Sequence, residues 1–275
     1  MSILSVDIEA LDPGATLLAP VGMTTPHDAI KDASVSGGRI AAALLDPELA
    51  LCAVQIVADG GPLRLTYRLG DASATGSYPE QMFVERHNRF TQAAGDLAEA
   101  SRKIAQGAGG GSAGIAALVA EAESRFDYGH PETRFNDGAD AVPYLSCGLT
   151  PGSCVDINTY LIASLRACGY EAGYVYGYFF PEENGGVTHD MHCWVVTRHD
   201  GCLQEWDIAH HVKAGLGPTQ AGLNPRPGRR VALGHSMGHR YAAPGLSGQL
   251  KLLAEPMRLV AGDLLRVELV ARLQG

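Results

Sequence analysis

The segment Ser153–Gly169, "SCVDINTYLIASLRACG", constrains this chain more than any other. Ser153, followed three residues later by Asp156, has the S-x-x-D form of a capping box. Pro151 and Gly152 punctuate the chain just before it. Apolar side chains recur at 157, 160, 161, 164, 165 and 168, the spacing of one helix face. Gly169 then stands where a helix C-terminus is closed. The pattern predicts a helix over about 153–168. Counting back three from Ile157 places Cys154 on the same buried face.

Most buried cysteines only pack, and Cys168, at the far end of the stripe, reads as a core residue. Cys154 differs by position. In the first turn of a helix, unpaired backbone N–H groups and the helix dipole stabilise an anion. That setting lowers a thiol pKa toward reactivity. Asp156 works the other way, because a carboxylate two residues off disfavours a thiolate. A nucleophile at Cys154 therefore needs a base nearby.

The strands that follow offer one. "YEAGYVYGYFFP", "THDMHCWVVTRHDG" and "CLQEWDIAHH" all read as strands, and Asp200-Gly201 has the form of a two-residue hairpin turn. With that loop His199 pairs with Cys202, and partner numbers sum to 401. His192 and Asp207 then lie on one face as diagonal neighbours, roughly 7–8 Å apart between backbones. A four-residue loop would pair them directly, and a three-residue loop would put them on opposite faces. Thiol, imidazole and carboxylate together form the nucleophile–base–orienter set of cysteine acyl transfer. Cys154 would attack a carbonyl, His192 would carry the proton, and Asp207 would hold the imidazole. The Cys154 N–H is a natural oxyanion donor.

These residues resemble the transglutaminase-like superfamily. "GSCVD", "LRACGYEAGYVYGY", "MHCWVV" and "EWDIA" follow its order and spacing, and "SRFDY" before them is similar to bacterial members. Gly173, Cys193 and Ile208 depart from the residues common there, Arg, Ala and Pro. The resemblance implies an α+β, papain-like core in which the cysteine helix packs on an antiparallel sheet. It also implies a catalytic Cys154-His192-Asp207 triad and no cofactor. It leaves open amide cross-linking, peptidase, amidase or acyl-transferase chemistry, or a binding module without activity.

The region 1–80 reads as β-rich: "SILSVDIEAL" is a strand, and "LALCAVQIV" and "PLRLTYRLG" flank the hairpin signal "ADGG". Residues 81–275 would hold the core, with its motifs at 115–211. Helical composition covers 78–106 and Ile115–Tyr128, separated by the loop "GAGGGSAG". In "RLVAGDLLRVELVARL", one or two strands surround a Gly-Asp turn. Tyr174, Tyr176 and Tyr178 alternate on one strand face and read as core.

A net charge of -9 argues against a nucleic-acid partner. From Lys213 to Gly275 there are nine Lys+Arg against three Asp+Glu, leaving 12 against 27 elsewhere. The basic stretch 226–240 reads as a solvated loop, or as one meeting an anionic group. Nothing has the form of a signal peptide or membrane span. Six cysteines without framework spacing read as reduced thiols in the cytoplasm. The expected partner is a peptide, protein or small amide. A metal site built from His189, His192, Cys193, Cys202, His210 and His211 is the competing arrangement, although His192 and Cys193 should point to opposite strand faces.

Overall fold

The computed structural model describes residues 2–71, 76–243, 245–246 and 248–275. Six strands come first: β1 (Ser2–Leu11), β2 (Thr16–Pro20), β3 (Asp28–Ser36), β4 (Gly38–Asp46), β5 (Leu51–Ala58) and β6 (Gly61–Asp71). Helices α1 (Gly95–Gly107) and α2 (Gly111–Arg125) follow, then β7 (Phe126–Tyr128), β8 (Thr150–Gly152) and α3 (Cys154–Ala167). Next come β9 (Glu171–Pro181), β10 (Val187–Thr188), β11 (Met191–His199), β12 (Cys202–Trp206) and α4 (Ile208–Ala214). Strands β13 (Gly228–His235), β14 (Met257–Val260), β15 (Asp263–Arg266) and β16 (Leu269–Gln274) complete the series. The fold is α+β. It divides into two compact units: Met1–Gln81 with Tyr176–Met191 and Pro227–Gly275, and Met82–Val175 with His192–Arg226.

The first unit contains two antiparallel sheets, ordered β10-β16-β1-β6-β3 and β15-β14-β2-β5-β4. The predicted hairpin across "ADGG" does not form: β5 pairs with β2 and β4, whereas β6 pairs with β1 and β3. The cause is visible in the alternation of the two strands. Val54, Ile56 and Ala58 of β5 share one apolar cluster with Leu63, Leu65, Tyr67 and Leu69 of β6. Those faces meet across the space between sheets, which side-by-side pairing would not allow. The turn therefore carries the chain from one sheet to the other.

The basic stretch is also not a solvated loop. It forms β13, in which Val231 to His235 are buried and Arg230 is 3% exposed. Arg230 lies over the Phe179 ring, and Arg229 donates to Asp28 and Ser2. These cations thus pack against aromatic and polar partners within the fold.

In the second unit, α3 runs from its predicted start and ends with Cys168 at the C-cap and Gly169 at φ 77°. It is buried on all sides from Cys154 to Arg166, a wider burial than the single stripe implied. Several of its polar side chains find partners inside the fold. Thr159 and Ser164 donate to the carbonyls of Val155 and Tyr160, one turn back, at 2.7 and 2.9 Å. Arg166 donates to the carbonyls of Met82 and Ala172. Cys168 is only half-buried.

The β11–β12 hairpin has the predicted register, with His199 opposite Cys202 and Val195 opposite Trp206. Asp200 and Gly201 take φ 50° and 75°, as a type I′ turn requires. Beyond that point the reading of "CLQEWDIAHH" as one strand fails. The strand stops at Trp206, and Asp207 caps α4 by accepting the His210 N–H at 3.1 Å.

Candidate active site

Four short segments of the second unit supply the site. β7 and β8 pair in parallel, with Tyr128 opposite Gly152, and so fix the approach to α3. Gly152 has no room for a side chain. A Cβ there would lie 2.5 Å from the Phe126 ring and 3.1 Å from the Cβ of Asp156. This close passage delivers Ser153 to the N-cap and Cys154 to the first helical position, where Cys154 is 5% exposed.

Asp156 is fully buried and accepts from the N–H and Oγ of Ser153 at 2.9 and 2.7 Å. Arg134 Nη1 reaches the same carboxylate oxygen at 2.8 Å and Ser153 Oγ at 3.1 Å. The negative charge expected to oppose a thiolate thus meets a guanidinium. Arg134 lies in an irregular segment, and no periodic pattern in the sequence marks it.

His192 is near the start of β11, and its side chain favours the thiolate form of Cys154. Its Nε2 lies 2.9 Å from Asp207 Oδ2, which leaves Nδ1 as the ring nitrogen for the thiol. His192 and Asp207 are both buried. Burial alone would lower the imidazole pKa; the charge and hydrogen bond of Asp207, aided by Cys154, outweigh it and raise the value. The Cys154 pKa falls well below the usual thiol value. A hydrogen bond from Cys193 acts first, against burial, and His192 adds a second hydrogen bond and its charge. The structure thus brings Cys154, His192 and Asp207 together.

Three neighbours take positions at the site that the sequence does not mark. Asn158, one turn after Cys154, donates to the Cys193 carbonyl at 3.0 Å and to its sulfur at 3.4 Å. Strand alternation places Cys193 on the far face from His192, yet it contributes to lowering the Cys154 pKa. His210 Nδ1 lies 2.8 Å from the Asp207 oxygen that also binds His192. The His192 and His210 rings stack, with centroids 4.0 Å apart and planes within 5°. From the sequence, His210 reads as a metal ligand alone.

Of the six residues considered for a metal, His192 and His210 converge, together with Asp207; their ligand atoms lie within 4.8 Å of one another. Imidazole lone pairs lie in the ring plane. Two parallel rings 4.0 Å apart cannot aim both at one ion without rotating. His211 turns instead to the Asp207 carbonyl, at 2.9 Å, and Cys202 is exposed.

Residues 98–205 match the transglutaminase-like superfamily, a span that includes Cys154 and His192 and stops just short of Asp207. That span is similar to a transglutaminase-like core. A candidate cysteine protease from Cytophaga hutchinsonii has a similar fold, with a TM-score of 0.52 at 12% identity, over 99% of this chain and 97% of that one. A weaker likeness, TM-score 0.39 at 17% identity, is to the periplasmic domain of TgpA from Pseudomonas aeruginosa bound to ethylmercury. It covers 76% of this chain and 77% of that one. No curated protein matches the chain. Within the matched span, Cys154 stands at the start of α3 and His192 on β11. No helix among the described residues is long and apolar enough to cross a membrane.

Proposed function

We propose that this protein is a cysteine-dependent acyl-transfer enzyme that acts on an amide, peptide or ester carbonyl through Cys154, His192 and Asp207. One observation carries the reading. A thiol at a helix N-terminus has its pKa lowered in part by an imidazole whose Nε2 is 2.9 Å from a buried carboxylate. The thiol proton passes to His192, leaving a thiolate beside an imidazolium that Asp207 stabilises. The thiolate attacks the carbonyl carbon, and the Cys154 N–H supports the developing oxyanion. His192 then protonates the departing amine or alcohol, leaving a thioester on Cys154. Water, or an amine acceptor, releases the acyl group and restores the thiol.

Hydrolysis is the favoured outcome, with transfer to an amine second. All six cysteines are free, which suits the cytoplasm, where unrestrained protein cross-linking would be harmful. A panel of amide, peptide and ester donors, with and without an amine acceptor, tests the proposal. Wild-type protein should release the leaving group and Cys154→Ala should not. Full turnover by Cys154→Ala would assign the activity elsewhere. Absence of turnover, together with a Cys154 no more reactive than Cys168, would favour a non-catalytic binding module.

A further inference from the structure

His210 touches the carboxylate that orients the base, and the chemistry proposed above gives it no part. Its place follows from how the β11–β12 hairpin ends. The ladder runs from His199 opposite Cys202 to Val195 opposite Trp206, where β12 stops. His192 lies beyond the last of these pairs, and Asp207 has left the strand to cap α4. Sheet register therefore does not hold the carboxylate against the imidazole. A side chain free to rotate about its own bonds needs some other restraint to stay there.

The first turn of α4 supplies that restraint. The His210 N–H donates to Asp207 Oδ1 at 3.1 Å, and His210 Nδ1 lies 2.8 Å from Oδ2. One residue thus engages both carboxylate oxygens, and His192 Nε2 meets the second of them at 2.9 Å. His211 holds the main chain of Asp207: its backbone N–H and its Nδ1 lie 3.3 and 2.9 Å from the Asp207 carbonyl oxygen. Asp207, His192 and His210 are all buried, so water does not compete strongly for these contacts. An ionised carboxylate only accepts hydrogen bonds. The ring nitrogen that each histidine turns to Oδ2 therefore carries a proton.

We propose that His210 is a positioning residue whose ring N–H and backbone N–H clamp the Asp207 carboxylate in the orientation that presents Oδ2 to His192. The inference rests on the proposed function, because the clamp matters only where His192 acts as the base. The ring stack adds a second restraint. The two imidazoles are parallel to within 5° with centroids 4.0 Å apart, close to van der Waals contact. His192 cannot tilt toward that side without meeting the His210 ring. His210 acts through Asp207 and through this stack, and no bond is made or broken on it. Hydrogen bonds to a carboxylate are the strong ones, and two ring donors on a single oxygen leave its direction well defined.

The test measures the rate of Cys154 carbamidomethylation by iodoacetamide at pH 7 in the intact chain, read by peptide mass spectrometry, for wild type and two His210 variants. His210→Phe keeps a ring for the stack and has no side-chain donor. His210→Asn loses the ring and keeps an amide N–H near the place of Nδ1. Both retain the backbone N–H to Oδ1. His210→Phe should react about tenfold more slowly, the order of loss expected when a catalytic group is left out of line. His210→Asn should recover most of that loss. A merely structural role would give the reverse order, because phenylalanine fills the space and asparagine leaves a gap. His210→Leu, which also lacks a donor, should match His210→Phe and replaces it if phenylalanine prevents folding. A donor-less variant at the wild-type rate, or His210→Asn as slow as the donor-less variant, would overturn the inference and leave the activated thiol standing. A wild-type Cys154 that reacts no faster than Cys168 would overturn both readings.

Discussion

Cys154 and Cys168 lie at opposite ends of α3, on one apolar stripe, and differ in almost everything that decides thiol chemistry. Cys154 is the first helical residue, at the positive end of the helix dipole, with a hydrogen bond from Cys193 and an imidazole beside it. Its pKa is driven well down. Cys168 is the C-cap, at the negative end, and desolvation pushes its pKa up against a small opposing effect of Arg102. The difference shows that groups directed at a buried sulfur, and not burial, lower its pKa. Burial alone works against it, raising the pKa at both ends.

The comparison breaks most decisively through the base. Asp207→Asn should lower turnover, and with it the rate of Cys154 alkylation near neutral pH, by roughly 10²-fold or more, because His192 loses the group that orients it and stabilises its charge. Unchanged alkylation in that variant would mean that the helix terminus alone activates the thiol. In the wild-type protein, Cys154 should react with iodoacetamide at least about tenfold faster than Cys168 at pH 7. Equal rates would erase the contrast.

The pH profile sharpens the comparison further. Turnover should be bell-shaped, rising at a pH below the ordinary thiol pKa as Cys154 ionises. It should fall at a pH above the ordinary histidine pKa as His192 loses its proton. Both signs follow from the lowered thiol and raised imidazole values, and the two apparent constants belong to the pair. A profile that rises only in the ordinary thiol range would rule out a preformed ion pair.

Arg134→Met leaves the buried Asp156 carboxylate with Ser153 alone. It should cost about 2 kcal/mol in urea unfolding, less than a fully buried pair would because Arg134 is a third exposed. The smallest effect belongs to Cys168→Ala. It should change stability by no more than about 1 kcal/mol and leave the Cys154 profile unmoved. A moved profile would couple the two ends of the helix.

Much of this arrangement was readable before any coordinates. The limits of α3 follow from Ser153, Asp156 and Gly169, each of which satisfies backbone groups of its own helix end. The β11–β12 register follows from Asp200-Gly201, because both residues must adopt positive φ. These are local constraints, settled within a few residues of where they are written.

What lay beyond reach depends on partners distant in sequence. Asp207 reaches His192 as the cap of a helix, because a short polar side chain after Trp206 can satisfy the His210 N–H and end the strand. "ADGG" has the composition of a hairpin turn. Whether it joins neighbours or bridges two sheets depends on which apolar faces find each other. Arg134, Asn158, Cys193 and His210 have no pattern of their own. Charge balance, hydrogen-bond reach and ring stacking act through space, and those distances exist only once the chain has packed. Local backbone chemistry was enough to place the thiol at a helix start; the groups that lower its pKa come from the tertiary fold.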